Sequence, residues 1–338
     1  MSISGTTNGA RPAQRCYVLG AGFSKPLGFP LASELMREVW NHATHGMDDF
    51  GAETRDGWLA MLKRAYPRSD FDTTWPDFED LITVLDEWEQ YRADYEGAPV
   101  PPGPLQPAHL KRVLLKHLGL LLCEKLAACS EGRLTHVRGF VKRTLADGDA
   151  VISFNWDLAL EAAAADVGVA VSYGGVTREG LQVAKPHGSL NLAEMPREKY
   201  KQASHSMNVH SFSVDFKEGP FVVVRADDPR DAANGIVQPF REALLVEPTA
   251  RKWYRSAWLA LQWRRALNMV RAAEEVIVIG YSLPPTDFRP RILLQLAGMS
   301  RNGLPRVRVV DPRAAEVAAR YRQWISSPVQ EVQAGWVE

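Results

Sequence analysis

Two glycines, Gly20 and Gly22, stand directly after the apolar run Cys16-Tyr17-Val18-Leu19, where backbone N–H groups and the start of a following helix can approach a pyrophosphate closely. With Ala21 between them and Ser24 just beyond, they equally fit a plain tight turn. The complete dinucleotide fingerprint is absent: Lys25 holds the place of its third glycine, and no second strand ending in an acidic residue follows. That argues against an ordinary dehydrogenase. A second group is Ser153-Phe154-Asn155-Trp156-Asp157, in which Asn155 can bond a ribose hydroxyl or a water and Asp157 can accept from a carboxamide. The same pair also suits the start of a helix as caps. A third group, Lys185-Pro186-His187-Gly188-Ser189-Leu190-Asn191, sets a histidine between a proline and a glycine. Imidazole is the side chain whose ordinary charge change falls near neutral pH, so His187 could act as a base, although a lone histidine is more often structural. The last two groups are Val278-Ile279-Gly280-Tyr281-Ser282-Leu283-Pro284-Pro285-Thr286-Asp287 and Val309-Val310-Asp311-Pro312. The first is a small-residue loop that could face an adenosine or a phosphate, and in the second a carboxylate could take ribose hydroxyls; each also reads as a turn.

These groups need a scaffold that brings them to one place, and the patterning supplies one. Apolar runs read as buried strands at Cys16–Gly20, Ala150–Phe154, Val169–Tyr173, Glu275–Gly280 and Arg306–Asp311. Helical spacing lies between them, over Leu31–Thr44, Asp157–Ala165, Lys252–Ala273 and Pro290–Met299. The alternation predicts an α/β fold of the Rossmann type, doubly wound with a mostly parallel sheet. Ligands of such sheets sit beyond the carboxyl ends of the strands, which is where four of the groups fall; the Lys185–Asn191 group follows no predicted strand. About residues 48–145 read as a helical insertion with helices at Trp58–Ala65, Asp77–Tyr91, His109–Ala128 and His136–Leu145, broken by the proline-dense Gly97–Pro107. A smaller insertion spans about 192–240. Residues 1–14 are small and polar and are expected to form a disordered tail before one domain over 15–338.

The 338 residues carry 40 basic and 40 acidic side chains, so no overall field draws the chain to nucleic acid or an anionic membrane. Its three cysteines, Cys16, Cys123 and Cys129, lack the spacing of a disulfide framework or a zinc ribbon. No apolar stretch is long enough for a membrane span, and the expectation is a cytoplasmic protein without a signal peptide. His42 with His45, and His205 with His210, have spacings open to a metal but no supporting cysteine; no metal is expected. The segment holding Trp253, Trp258 and Trp263 with Arg251, Lys252, Arg255, Arg264 and Arg265 could stack and pair with nucleic acid. The better reading is a helix with its aromatic side chains inward, or a partner interface.

Taken together and in order, GAGFSKPLGFP, SFNWD, KPHGSLN, IGYSLPPTD and VVDP resemble the sirtuin-like superfamily, and in detail the bacterial sirtuin-like proteins of antiphage defence. The resemblance covers residues 15–320; the helical insertion carries little of it beyond Pro76-Asp77-Phe78-Glu79-Asp80, similar to a segment those proteins often have. It implies that Gly20, Ala21, Gly22 and Ser24 line the phosphates of NAD⁺, and that Gly280, Ser282 and Asp311 hold its adenosine half. It further implies that Asn155 orders the nicotinamide ribose and the attacking water, that Asp157 contacts the nicotinamide amide, and that His187 is the base. Deacylating sirtuins usually carry a four-cysteine zinc ribbon and an acidic-Phe-Arg segment after the glycine loop. This chain lacks those cysteines and reads Gly28-Phe29-Pro30-Leu31-Ala32-Ser33 there. The resemblance therefore implies NAD⁺ hydrolysis to nicotinamide and ADP-ribose, with NAD⁺ as substrate. The alternatives are a protein deacylase or ADP-ribosyltransferase, and a non-catalytic NAD⁺ or ADP-ribose-binding module. An unrestrained hydrolase would exhaust the cell's cofactor. Gating is thus expected, through homo-oligomerisation or a separate sensor or activator such as an ATPase or a nucleic-acid-binding partner.

Overall fold

A computed structural model describes residues 14–45, 51–94, 106–146, 148–174, 180–195, 211–212, 221–224, 243–245, 257–285, 287–299 and 305–335. The tail, most of the Gly97–Pro107 segment, His205, His210, Trp253, Arg251, Lys252, Arg255 and Thr286 lie outside these residues.

The first strand, β1 (Arg15–Leu19), runs into a single helical turn, α1 (Ala21–Ser24), and a 3₁₀ turn over Lys25–Leu27 that Gly28 ends at φ 95°. Five longer helices follow: α2 (Ala32–His45), α3 (Ala52–Ala65), α4 (Phe78–Asp94), α5 (Pro107–Ala127) and α6 (Glu131–Ala146). Pro107 opens α5 where a missing N–H costs nothing. Leu110, Leu114, Leu118, Leu121 and Leu122 then bury this helix in the insertion's interior. The chain returns to the sheet with β2 (Ala150–Ser153), then α7 (Ala159–Asp166), β3 (Val171–Ser172) and β4 (Leu181–Ala184). Gly168, at φ 68°, closes α7, its N–H bonding the Ala165 carbonyl at 3.0 Å. Next come β5 (Gly188–Met195), β6 (Ser211–Phe212), β7 (Phe221–Val224) and β8 (Ala243–Leu245), and the chain closes with α8 (Ala257–Ala272), β9 (Glu275–Ile279), α9 (Phe288–Met299), β10 (Arg306–Val310), α10 (Ala314–Arg322) and β11 (Val329–Val332).

The seven strands of the main sheet lie in the order β11-β10-β9-β1-β2-β4-β3, every neighbouring pair parallel. This is the α/β, doubly wound arrangement that the sequence predicts. The chain leaves β1 toward β2 on one side and returns through β9 on the other, so the direction of winding reverses between β1 and β9. Alternate strand residues supply the two cores. Leu19, Val151, Val183, Ile277 and Ile279 pack with the insertion and α7. Val18, Ile152, Ala184, Val276, Val278, Val307 and Val309 pack on the other face, with α8, α9 and α10.

Parts of the fold differ from the sequence reading, among them the closing helix α10 and edge strand β11, which it did not contain. The predicted strand Val169–Tyr173 is a two-residue edge strand, because β4 takes its place beside β2. The short run Leu181–Ala184 merges into the Lys185 segment and gives no separate signal. The smaller insertion holds strands of a second, antiparallel sheet in the order β6-β7-β5-β8. Among the described residues no helix is long and apolar enough to cross a membrane.

Candidate functional site

Because β1, β2, β4, β9 and β10 are parallel neighbours, their carboxyl ends emerge on one edge of the sheet and carry all five sequence groups there. The glycines sit at the reversal of winding. Gly20 N–H bonds the Ile279 carbonyl at 3.1 Å, and Gly22 N–H bonds the Gly280 carbonyl at 2.9 Å. A Cβ on Gly22 would lie 2.6 Å from Gly280 Cα, and one on Gly20 2.6 Å from Tyr281 Cα. Gly280 itself has φ 62°. Backbone contact between the loops after β1 and β9 thus requires glycine at all three positions, and the Gly20 and Gly22 N–H groups are occupied within the protein. Ala21, next to them, is partly exposed at the mouth of the loop.

Ser24 lies behind that loop and is buried, its hydroxyl donating to Asp157 Oδ2 at 2.8 Å. Asn155 Nδ2 donates to the Gly20 carbonyl at 2.9 Å and to Ser24 Oγ at 3.2 Å. Both of its amide hydrogens are therefore directed into the protein, and Oδ1 remains as an acceptor on a half-buried side chain. Asp157 Oδ1 accepts from Ala159 N–H at 3.0 Å, which caps the start of α7. Burial raises the Asp157 carboxyl above its ordinary value, opposed chiefly by the Lys185 ammonium.

Lys185 is fully buried. Its ammonium donates to the Asp157 carbonyl at 2.9 Å and pairs with Glu161 at 3.1 Å. Glu161 also accepts from the Tyr173 hydroxyl at 2.8 Å, and Asn191 Nδ2 donates to the same hydroxyl at 3.3 Å. Burial, then the Glu161 charge, pushes the Tyr173 phenol well up. Gln262 joins α8 to this network through Lys185 N–H at 3.1 Å and the Tyr173 carbonyl at 2.7 Å. A buried ion pair gains little over an apolar pair, but removal of one member is costly; the network joins α7, β4 and α8.

The His187 segment is tied to the Asn155 segment through Trp156. Trp156 Nε1 donates to the His187 carbonyl at 3.1 Å, and Leu190 N–H donates to the Trp156 carbonyl at 3.2 Å. The SFNWD and KPHGSLN segments are thereby laced together. The imidazole packs against the Phe154 and Trp263 rings, with centroids at 4.9 and 5.9 Å, and these two rings also meet each other at 5.9 Å, while Tyr281 stacks on Phe154 at 4.6 Å. His187 Nε2 faces Asp287 Oδ1 at 3.3 Å. Asp287 was visible in sequence only as the end of a loop; its partner is far away in the chain, and no local spacing announces the pair.

Gly280, Ser282 and Asp311 form a looser set. Gly280 N–H bonds the Val310 carbonyl at 3.3 Å, and the Ser282 carbonyl accepts from Arg320 at 3.3 Å. Asp311 Oδ1 accepts from Arg313 N–H at 2.8 Å, a turn before α10. Both Ser282 and Asp311 retain partial exposure at the strand ends.

Other sequence candidates resolve into structural roles. His42 turns from His45 to His117, with the two Nδ1 atoms 2.8 Å apart and Glu124 at 3.1 Å on its other nitrogen, while His45 faces the Asn41 carbonyl at 3.0 Å. Among the described residues no group of three or more candidate ligands could hold a metal. On α8, Trp258 is buried and Arg265 bonds inward to the Ser172 carbonyl at 3.0 Å and Gln182 at 2.7 Å.

No family model matches the chain, and no curated protein matches it. Solved structures that are similar include a Sir2 in complex with the inhibitor EX-527, 2'-O-acetyl-ADP-ribose and a deacetylated p53 peptide. It shares 12% identity at a TM-score of 0.36, over 96% of this chain and 89% of that one. A Sir2 with p53 peptide and NAD⁺ shares 13% at 0.34, over 96% and 89%. A Sir2 homologue point mutant with ADP-ribose shares 12% at 0.41, over 97% and 89%. At these scores the likeness adds nothing to the site, and the fold rests on the strand order itself.

Proposed function

We propose that the chain binds NAD⁺ at the carboxyl edge of the main sheet and hydrolyses it to nicotinamide and ADP-ribose, acting as a gated, NAD⁺-depleting effector of bacterial antiphage defence. The observation that carries the reading is the lacing of Asn155 and His187 through Trp156, next to a glycine loop at the reversal of strand order. The order of the five sequence groups supports the choice of NAD⁺.

Nicotinamide leaves the ribose as a neutral molecule, because the C–N bond electrons neutralise the positive ring nitrogen. No protonated carboxyl has to assist it, unlike the leaving oxygen of an ordinary glycoside, and a site without paired catalytic carboxylates suffices. What the site supplies is a positioned water and tolerance of an oxocarbenium-like ribose. With its amide hydrogens committed to Gly20 and Ser24, Asn155 has only Oδ1 to offer, and that oxygen accepts from a ribose hydroxyl or the water. His187 takes the water's proton as its oxygen bonds to the anomeric carbon. The Gly20–Gly22 loop, open at Ala21, forms the phosphate side with Ser24 bracing it from behind, and Gly280, Ser282 and Asp311 the adenosine side. Asp157, both of whose oxygens are engaged within the protein, holds the Asn155 loop through Ser24.

Nicotinamide release by the wild type, His187→Ala and Asn155→Ala tests the assignment. Each variant is expected to lose at least about 100-fold in turnover while its circular dichroism is unchanged. Near-normal turnover by both variants would contradict the site.

A further inference from the structure

His187 works as a base only if one ring nitrogen is bare and held toward substrate, and the loop after β9 contains the group that can enforce this. Beyond Ile279 the backbone passes through two left-handed positions, Gly280 at φ 62° and Leu283 at φ 52°; the second is one that leucine rarely adopts. The Pro284 carbonyl then accepts from Asp287 N–H at 3.0 Å and from Arg291 Nη2 at 3.0 Å. This clamped turn delivers Asp287, only 3% exposed, back over the end of the sheet. Its Oδ2 takes the Tyr281 hydroxyl, and its Oδ1 lies 3.3 Å from His187 Nε2.

We propose that Asp287 is a positioning residue for His187, holding the imidazole by an Nε2–H donor and so leaving Nδ1 as the nitrogen that takes the proton. The inference rests on the hydrolase reading for the role of His187, but not for the geometry. Nε2 is sealed from solvent and makes no aligned hydrogen bond, while the side chain as a whole keeps 9% exposure. The approach to Oδ1 is at ion-pair distance and off line, an arrangement that tightens when substrate closes a site. Phe154 and Trp263 wall the ring with carbon, at 4.9 and 5.9 Å. Tyr281 completes the device, since it stacks on Phe154 at 4.6 Å and donates to Asp287, tying the aromatic wall to the carboxylate. A buried carboxylate beside a buried ring nitrogen fixes the tautomer by accepting from the N–H, as an orienting acid does for a base in other hydrolytic sites.

The test is the tautomer of His187 in the full-length wild type, read at neutral pH by ¹⁵N–¹H correlation with histidine-labelled protein and assigned with His187→Gln. The Nε2–H form with bare Nδ1 is expected; a predominant Nδ1–H form overturns the proposal. In parallel, Asp287→Asn is expected to shift the ring toward Nδ1–H and to lower kcat at least about 100-fold, with KM within about threefold. Wild-type kcat and tautomer in that variant would also overturn it. If Asp287→Asn fails to fold, the wild-type tautomer decides alone. Should the wild type release no nicotinamide, the hydrolase reading falls while the tautomer still reports whether Asp287 holds the ring.

Discussion

Asn155, Asp157 and His187 show how a residue's partners narrow what its type leaves open. In sequence, Asn155 and Asp157 could both be helix caps or both meet a ligand. In the fold they divide: Asp157 caps α7 and takes the Ser24 hydroxyl, whereas Asn155 keeps an uncommitted Oδ1. The division follows from contacts between residues 20–24 and 155–157, more than 130 positions apart, which no local pattern reveals. Asp157 also gives a pH signature. Its carboxyl is raised by burial, so the folded state binds its proton more tightly than the unfolded chain does. The stability this contributes is present below the ordinary value of 3.8 and is lost as pH rises through the folded value. Asp157→Asn, which keeps the Ala159 bond and leaves Ser24 a partner, should therefore gain stability relative to the wild type as pH rises toward neutrality. Denaturant midpoints across that range check it; a variant that loses stability relative to the wild type as pH rises would contradict it.

At the scale of elements, β1, β2, β9 and β10 were readable because they are apolar runs followed by small or polar residues, whereas β4, which carries the His187 segment, was not. The insertion's helices were readable from their spacing. The boundaries moved by a few residues, as at α3, which begins at Ala52 rather than Trp58. The glycine loop was legible as a loop, but the reason for its glycines was not. That reason is the loop after β9, which presses Gly280 against Gly22 with no room for a side chain. Gly22→Ala should accordingly lower stability by about 1–3 kcal/mol through forced backbone displacement. Gly139→Ala, on α6 with only Arg143 at 3.9 Å, should raise it by up to about 1 kcal/mol. Thermal or denaturant unfolding of both variants measures this, and equal effects would show that the loop contact is not what selects glycine.

For the whole molecule, the alternation of strand and helix was enough to predict a doubly wound sheet, because parallel strands buried on both faces leave strong apolar runs. The antiparallel sheet was missed. Its strands lie in a segment mixing small, charged and apolar residues, where pairing is set by partners distant in sequence, as between β5 and β8. The fold nevertheless explains why five scattered groups belong together, since parallel strands place all their carboxyl ends on one edge. The central claim is that this edge cleaves NAD⁺ with water. Its most direct test is chromatography of NAD⁺ incubated with the full-length protein, with and without an acetyl-lysine peptide. The account predicts nicotinamide and ADP-ribose in equal amounts without peptide. Cleavage that occurs only with the peptide, or NAD⁺ bound tightly and recovered intact, would contradict it.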